Sequence, residues 1–440
     1  TCKWRTMDAI ISLYSAQDTP RFRWASKVLF TSAMRVRVIH YSDVETFSAA
    51  EGIKINYSPT PIEGSLHISP QGLLWEKELV DQEFYCTTWE ELPIFCQRSM
   101  GDLPFDPLAA AFFLASRYEE YLPFIADQHG RFPASESFAS HHGFLERPLI
   151  NEWALKIGKL WIGAQFELKQ YYTYTSSVDI DNLFAYKGKG ALRTMGAIAG
   201  DITQLDFKRL RARLMVLLGV QRDPFDTFRK QRNWNKKHQI SMLYFMLFAE
   251  FGKNDRNISP YSTEAAIKLR EISDWSEVGI HPSYASDSQD LLVSKELNNL
   301  QEVLRQPVRQ SRQHYLKMRM PHTFRTLLDL GITHDHSMGY AEVAGFRASL
   351  VTPFTFYDLE LEAELPLVIH PFVFMDTTYY MYQKKGPKES LEQMKNWPEK
   401  VKEVGGELIT VWHNRTFGEI EPDTQGWVQV YKEFIDAAQV

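Results

Sequence analysis

Two aspartates, Asp179 and Asp181, flank Ile180 at the end of a run rich in β-forming residues, 171–178. Side chains alternate between the two faces of a strand, so both carboxylates are expected to point the same way. Each carboxylate raises the pKa of the other unless a cation or a hydrogen-bond donor relieves them. The pair therefore suits a metal site, or a base next to a ligand. A capping aspartate followed by an exposed turn aspartate is the alternative interpretation.

Polar, protonatable residues follow several other short β-type runs. His281 follows residues 278–280, His334 to His336 follow residue 332, and His413 follows residues 408–412. In α/β barrels and open α/β sheets, functional groups gather at the carboxyl ends of the strands. One such histidine is more often a buried or capping residue, but several at successive strand ends predict a site.

The composition fits a globular protein with sizeable cores. The chain has 440 residues, of which 44% are hydrophobic and 13% aromatic, with a net charge of −6. That length allows two domains, and the hydrophobic content excludes general disorder. The negative charge argues against a general nucleic-acid binder. No apolar run reaches the roughly 18 residues that a transmembrane helix requires.

The three cysteines, Cys2, Cys86 and Cys96, form no C-x-x-C pattern, and their odd number argues against a disulfide scaffold. A reducing compartment is the simpler interpretation. No positively charged and then apolar leader is visible, so a cytoplasmic location is expected, with peripheral membrane association left open.

A change of pattern predicts two domains. Residues 1–168 are expected to form a smaller α+β domain, in which Asp106 and Pro107 begin a helix over 109–122. Glu119 and Glu120 are expected to lie on an exposed face of that helix. In residues 169–440, strand-like runs alternate with helices, which predicts a parallel sheet or barrel.

A basic segment, residues 186–238, interrupts this alternation. It holds 13 Lys/Arg and 4 Asp/Glu, and residues 207–218 have the pattern of an amphipathic helix. One interpretation is a solvated helical insertion packed on the barrel. The other is a surface for an anionic glycan or for membrane headgroups.

The order of these motifs resembles the polysaccharide deacetylases of the NodB-homology type. The matching stretches are 177–181, 278–283, 331–337 and 411–413, and the resemblance covers about residues 172–420. It implies a distorted (β/α) barrel of about seven strands. It also implies removal of acetyl groups from N-acetylated sugars with a divalent metal, commonly zinc. Residues 106–121, 130–132 and 144–153 are similar to the domain that precedes such barrels in a divergent bacterial group.

Residue by residue, the resemblance implies that Asp179 is the base and Asp181 a metal ligand, although the two roles could be exchanged. His281 matches the first of two histidine ligands, and the second falls on Ala285, which cannot bind metal. Ser283, Ser286, His314 or a water could fill that position. With two protein ligands, the metal would be weakly held or absent.

Further roles follow from the same resemblance. Arg312 is the candidate for the arginine that orients the base, with Arg319 and Arg325 as alternatives, and His413 matches the general acid. Asp376 follows a strand and could contribute to a site, although a helix N-cap is its expected role. Residues expected to contact the carbohydrate substrate, with Tyr340 as a further wall, are Ser283, Tyr284, Ser286, His314, Asp335 and Trp412.

Three functions are compatible with these residues. The first is a metal-dependent hydrolase acting on N-acetylated or O-acetylated carbohydrate. The second is an inactive barrel that binds glycan or serves as a scaffold in polysaccharide biosynthesis, an alternative that Ala285 favours. The third is a glycosidase, whose carboxylates face each other across the bond at roughly 5–10 Å, which neighbours on one strand satisfy poorly.

Overall fold

Three β-sheets and a series of α-helices make up the part of the chain that the computed structural model describes, residues 9–259 and 261–439. The mixed α/β class expected from the sequence is confirmed. Cys2 lies outside the described residues, and Cys86 and Cys96 are free thiols. No helix among the described residues has both the length and the apolar character needed to cross a bilayer.

The N-terminal segment, residues 9–164, contains a small parallel sheet of four strands in the order β2-β1-β3-β4. A two-stranded hairpin, β5-β6, and five helices surround it. The elements are β1 (Ile10–Ser15), α1 (Pro20–Ser26), β2 (Arg37–Tyr41), α2 (Val44–Ser48), β3 (Ile53–Tyr57), β4 (Leu66–Ile68), β5 (Thr87–Trp89), β6 (Leu92–Ile94), α3 (Pro107–Ala115), α4 (Phe138–His141) and α5 (Leu149–Trp161).

The rest of the chain builds a nine-stranded sheet in the order β12-β13-β11-β10-β9-β8-β7-β15-β14. Its strands are β7 (Thr173–Ile180), β8 (Ser241–Met246), β9 (Glu277–Ile280), β10 (Gln310–Ser311), β11 (His334–Asp335), β12 (Phe354–Asp358), β13 (Ala363–Ile369), β14 (Phe374–Met375) and β15 (Glu407–His413). The helices are α6 (Ala191–Thr203), α7 (Phe207–Leu217), α8 (Phe228–His238), α9 (Thr263–Ser273), α10 (Asp290–Leu304), α11 (His322–Asp329), α12 (Pro387–Met394), α13 (Trp397–Glu403) and α14 (Trp427–Ala437).

Every strand pair of the large sheet is parallel except β12 with β13. Parallel strands are covered on both faces, which explains the continuous burial of β7 from Ser176 to Ile180. The register sets Asp179 opposite both His413 of β15 and Phe245 of β8. The carboxyl ends of the strands therefore meet along one edge of the sheet.

The nine-stranded sheet differs from the barrel of about seven strands that the resemblance implies. It has nine strands, and within the described residues no pairing joins the edge strands β12 and β14. A closed barrel is therefore not observed. The basic insertion forms α6, α7 and α8, and the amphipathic helix expected over 207–218 is α7.

Helix α3 begins as the sequence predicts. Asp106 accepts hydrogen bonds from the backbone N–H groups of Leu108 and Ala109, and Pro107 occupies the first turn. The helix ends at Ala115, earlier than expected, because Arg117 adopts a left-handed conformation with φ of 58°. A left-handed residue cannot continue a right-handed helix.

The N-terminal segment packs directly on the large sheet. Trp24 of α1 packs against Phe354 and Tyr357 of β12, and its indole N–H donates to the carbonyl of Thr355 at 2.8 Å. One contiguous cluster contains buried apolar residues from both sheets. The domain boundary near residue 168 stays a prediction, since continuous packing neither requires nor excludes it.

Glu120 is buried, contrary to the exposed helix face expected from the sequence. Its carboxylate accepts from Arg117 at 2.7 Å and from Arg347 at 2.6 and 2.9 Å. Arg117 also donates to the carbonyl of Arg347. Although burial raises the pKa of Glu120, the two guanidinium groups bring it below its ordinary value. This ion cluster joins the N-terminal segment to the loop that follows β11.

Replacing Glu120 with alanine should destabilise the protein by about 3–5 kcal/mol, because two buried guanidinium groups would lose their shared counter-ion. Chemical denaturation of the purified variant measures the change. As a control, Glu271→Ala removes a partly exposed carboxylate that pairs with Arg229 and Lys268, and it should cost much less, because ion pairs near the surface contribute little. Equal effects of the two substitutions would contradict a special role for the buried cluster.

Candidate functional site

The carboxyl edge of the large sheet opens into a cavity of about 600 Å³. Its walls include five protonatable residues that the sequence had singled out: Asp179, Asp181, His281, His314 and His413. They come from the ends of β7, β9, β10 and β15, which the parallel register holds side by side. The strand-end residues His334 and His336, which the sequence analysis also singled out, do not line this cavity.

Asp181, His281 and His314 form a cluster whose ligand atoms all lie within 4.8 Å of one another. The Oδ1 atom of Asp181 lies 3.6 Å from Nε2 of His281 and 3.7 Å from Nε2 of His314. These separations are too long for hydrogen bonds. His314 thus lies where the second histidine ligand would be needed, while Ala285 begins a short 3₁₀ turn in the loop that follows β9.

Hydrogen bonds to the opposite ring nitrogens orient both imidazoles. Nδ1 of His281 donates to the carbonyl of Arg312 at 2.5 Å, and Nδ1 of His314 donates to Oδ1 of Asp255 at 2.8 Å. Each ring therefore keeps its Nε2 lone pair free and directed toward Asp181. A carbonyl or carboxylate behind a histidine is the usual arrangement behind metal-binding imidazoles, since it fixes the tautomer and raises the basicity of the ligand.

The cluster fits a divalent metal. Oδ1 of Asp181 is buried and accepts no hydrogen bond from any described residue. Two ligand atoms bound to zinc at 2.0–2.2 Å with tetrahedral angles are about 3.4 Å apart, close to the distances found between Asp181 and the two imidazoles. Two imidazoles and one carboxylate form a ligand set that zinc accepts in catalytic sites, with one position left for water or substrate.

Asp179 has a different environment. Its Oδ1 accepts a hydrogen bond from Nη1 of Arg312 at 2.8 Å, and its Oδ2 lies 3.7 Å from Nε2 of His281. Arg312 is fully buried, donates from Nε to the carbonyl of His336 and stacks over the ring of Phe245 at 4.4 Å. The guanidinium is thereby held in one position and orients the Asp179 carboxylate toward the cavity.

His413 faces Asp181 from the other side, with Nε2 lying 3.9 Å from Oδ2 of that carboxylate. Its Nδ1 donates to Oδ1 of Asp376 at 2.6 Å. Asp376 also accepts from the backbone N–H of His413 at 2.9 Å and from the hydroxyl of Thr416. Asp376 therefore positions the imidazole, and its expected role as a helix N-cap is not observed.

The charges of the site reinforce one another. Burial raises the pKa of Asp181, but His413, His281, His314 and Arg415 hold it well below its ordinary value. Burial lowers the pKa of His413, but Asp376 and Asp181 bring it above its ordinary value. The site thus favours an ionised Asp181 beside a protonated His413.

Several residues that the sequence proposed as substrate contacts lie away from the cavity wall. Ser283 and Ser286 are buried and hydrogen-bonded to each other. Asp335 is buried between Ser311 and Ser337. Tyr284 packs behind His314 against the ring of Tyr315. None of the four is among the residues that line the cavity.

The two aromatic walls expected for a sugar ring are also buried. The indole of Trp412 packs against Tyr431 and Phe434 in the core, because side chains alternate along β15 and this one faces away from His413. Tyr340 packs against Arg347. Of the alternative arginines, Arg319 contacts Asp287 and Arg325 contacts Asp358, so neither reaches Asp179. Tyr315 and Tyr382 line the cavity instead of the expected Trp412 and Tyr340.

Positive charge dominates the outer part of the cavity. Its lining carries three carboxylates, Asp179, Asp181 and Glu421, and five cationic side chains, namely Arg131, Arg209, Lys253, Arg256 and Arg415. The Nε of Arg415 is buried and donates to no acceptor among the described residues. Arg131 comes from the N-terminal segment and donates to the carbonyl of Tyr315 at 2.7 Å. That segment therefore contributes to the wall.

Sequence reasoning missed two residues of this arrangement, Asp255 and Arg415, and favoured a helix N-cap for a third, Asp376. Asp255 lies in an irregular loop after β8, where no pattern distinguishes it from a turn aspartate. Asp376 does follow a strand, so the strand-end signal that identified His281 and His413 was present there. Arg415 lies two residues after His413, and that proximity was the available signal.

Comparison with known proteins gives two kinds of similarity. Residues 11–164 match the model of a family of unknown function, DUF7033. A comparison with curated proteins found no match.

The matches among solved structures include three at low identity. One from Mycobacterium smegmatis, whose name assigns it to the polysaccharide deacetylases, is 14% identical, covering 60% of this chain and 83% of its own, with a TM-score of 0.39. One from Pseudomonas aeruginosa PAO1, also named as a polysaccharide deacetylase, is 10% identical, covering 60% and 84%, with a TM-score of 0.38. A mutant of a CE4 family pseudoenzyme is 11% identical, covering 61% and 63%, with a TM-score of 0.29.

Proposed function

We propose that this protein is a metal-dependent hydrolase that removes acetyl groups from N-acetylated or O-acetylated carbohydrate. The observation that carries the proposal is the meeting of Asp181, His281 and His314 in one cavity with an arginine-bound Asp179 and an aspartate-bound His413. These groups supply a metal site, a base and an acid, the set that acyl hydrolysis requires.

In this proposal Asp181, His281 and His314 hold a divalent metal, with zinc the best match to the ligand types. When bound there, the metal would supply Lewis-acid chemistry, polarising the acetyl carbonyl and acidifying a water. Of the two roles that the sequence left open for His314, substrate contact and replacement ligand, the proposal takes the ligand. His314 provides the third donor that the sequence lacks at Ala285.

Asp179 is the proposed general base. Its ion pair with Arg312 aims its second oxygen at the cavity. From there it accepts a proton from the attacking water as the new C–O bond forms. Arg312 donates all its bonds within the core, so it acts through Asp179 as a positioning residue.

His413 is the proposed general acid. Asp376 holds its Nδ1–H, which leaves Nε2 facing the cavity beside Asp181. When the C–N or C–O bond breaks, Nε2 donates a proton to the departing amine or hydroxyl. The raised pKa of His413 supports this assignment, since the group must be protonated before that step.

The cationic outer wall indicates the charge of the substrate. Arg415 has a buried, unpartnered Nε, and Lys253 and Arg256 lie on the loop that carries Asp255. A carboxylate or phosphate on the sugar would add negative charge beside these cations, whereas a neutral glycan would not. We therefore propose an acetylated carbohydrate that carries negative charge near its acetyl group.

The inactive alternative depends on Ala285, which suggested an incomplete ligand set. The position of His314 removes that argument, since its Nε2 lies 3.7 Å from Asp181. A protein that binds zinc and anionic glycan but releases no acetate from any acetylated carbohydrate would return the choice to this alternative.

Zinc should bind chelator-stripped protein with one-to-one stoichiometry by calorimetry. Replacing His281 or His314 with alanine should raise the Kd at least about 100-fold, because even loss of a residue behind a ligand costs 10–100-fold. His322→Ala is the control, since this exposed histidine pairs with Asp290 outside the cavity. If zinc still binds after the removal of His314, then His314 is not a ligand. The protein would then supply only two ligands, because alanine occupies the expected third position, Ala285.

Asp179→Asn and His413→Gln should each lower kcat for acetate release about 10²–10⁴-fold, the usual contribution of a general base or acid. Acetate release from N-acetylated oligosaccharides measures the rate. Retained zinc affinity verifies that each variant is folded. Asp329→Asn, on the exposed end of α11, is the matched control. A variant of Asp179 or His413 with an unchanged rate would contradict its assigned role.

The double variant Lys253→Ala, Arg256→Ala should raise the KM about ten-fold for acetylated oligosaccharides containing uronate, while the KM for neutral chitin oligosaccharides stays the same. About ten-fold corresponds to roughly 1.4 kcal/mol of charge attraction at a partly exposed site. Lys236→Ala, Lys237→Ala removes the same charge from α8, outside the cavity lining. A similar KM change for both substrates would contradict recognition of negative charge.

A further inference from the structure

Exposed apolar side chains are concentrated in one short part of the surface. Within residues 9–259 and 261–439, nine of the 23 exposed large hydrophobic side chains lie between residues 192 and 220. This stretch comprises α6, α7 and their flanking turns, and we refer to residues 191–220 as the α6–α7 hairpin. Scattered exposed hydrophobic residues are ordinary, but a contiguous group of this size marks an interaction surface.

On α6 the outward face is apolar. Leu192, Met195, Ala199 and Ile202 are all exposed and follow one another at spacings of three, four and three residues. Side chains at these spacings lie along one face of a helix. Leu192 is 83% exposed. A helix that packs only on the body of its protein would direct such a face inward.

The connection and α7 continue this surface. Leu205, in the turn between the helices, is 72% exposed, and Phe207, at the start of α7, is 61% exposed. Leu214 and Leu218 follow Phe207 at seven and eleven residues, so they share its face of the helix. Leu218 is 75% exposed.

The hairpin has its own internal packing, so this exposure is not a consequence of poor folding. Arg213 of α7 forms a buried ion pair with Asp201 of α6 at 2.7 Å, and Val216 is buried beside it. Asp206 caps α7 by accepting from the N–H of Arg209 at 2.9 Å. The apolar residues are thus directed outward while the polar contacts hold the two helices together.

The same segment is strongly basic. Residues 191–220 contain five Lys/Arg and two Asp/Glu, in a protein whose net charge is −6. Both acids are used inside the hairpin, as the partner of Arg213 and as the cap of α7. Lys208, Arg209 and Arg211 are exposed. Exposed apolar side chains interleaved with cations are the pattern of helices that lie in a membrane interface.

We propose that the α6–α7 hairpin is a membrane-docking surface that binds bilayers containing anionic phospholipid. The apolar side chains would enter the headgroup and acyl boundary, and the cations would contact the anionic headgroups. A soluble acidic polysaccharide would pair with the cations but leave the apolar face in water. A second copy of the chain would bring two basic hairpins together, which their charge disfavours.

Docking would also place the mouth of the cavity near the lipid surface. Arg209 belongs to α7 and lines the cavity, so the hairpin borders the opening through which a substrate enters. The binding itself does not depend on the proposed hydrolysis, and a vesicle assay measures it separately.

The test is co-sedimentation of the full chain with sucrose-loaded vesicles. Vesicles of phosphatidylcholine with about 30% phosphatidylglycerol should bind the protein, and about 0.5 M salt should weaken this binding, because headgroup attraction is screened. The triple variant Leu205→Asn, Phe207→Gln, Leu218→Gln should lower the partition coefficient at least ten-fold. Asparagine tolerates the left-handed backbone of Leu205, whose φ is 55°.

Two further variants separate the contributions. Lys208→Ala, Arg211→Ala should lower binding to the anionic vesicles about three- to ten-fold, by removal of two cations at the surface. Leu291→Gln, which removes an 89% exposed leucine from α10, should leave binding unchanged. Circular dichroism of each variant verifies that the fold is retained.

Four results would overturn the proposal. The first is no sedimentation with anionic vesicles, and the second is equal binding to vesicles of pure phosphatidylcholine. The third is unchanged vesicle binding by both hairpin variants. The fourth is no vesicle binding together with concentration-dependent dimerisation in light scattering, if the apolar triple variant abolishes that dimerisation. Binding to a soluble acidic polysaccharide in place of vesicles would likewise assign the hairpin to a glycan.

Discussion

The parallel register of the large sheet is the constraint on which the rest of the structure depends. Hydrogen bonding sets Asp179 opposite His413 and Ile280 opposite Ser311, so that residues just beyond the strand ends lie at the same level. Because side chains alternate along a strand, slipping one strand by a single residue would turn its polar side chains away from the cavity. The packing behind the sheet, including Arg312 over Phe245, holds this register.

The sequence alone could identify the site residues that directly follow a β-strand. Asp179, Asp181, His281 and His413 follow β-type runs, and all four line the cavity. Arg312 was found by its place in a motif. The sequence could not show that His314 lies beside Asp181, because the distance between them depends on how β10 pairs with β9. Local spacing predicts which residues share a face, but not which loops from distant strands meet.

The fold was predictable to a similar extent. Strand and helix alternation identified a parallel α/β sheet, and the Asp106 cap identified the start of α3. Nine strands and an unclosed ladder were not predictable, since edge pairing is decided by packing between distant segments. Burial of Glu120 and Trp412 was missed for the same reason: their partners, Arg347 and Tyr431, come from elsewhere in the chain.

Asp181, His281 and His314 follow three separate strands, β7, β9 and β10. In a site with both histidines on one helical turn, an ion would tie a single loop to a single strand. Here an ion would brace segments on either side of β8, together with the loop of Asp255 that supports His314. Part of the free energy of metal binding would then be used to restrict the motion of the loops at the carboxyl edge of the sheet. Metal content would govern the motion of the entrance as well as its chemistry, and amide exchange around Asp255 would slow on loading.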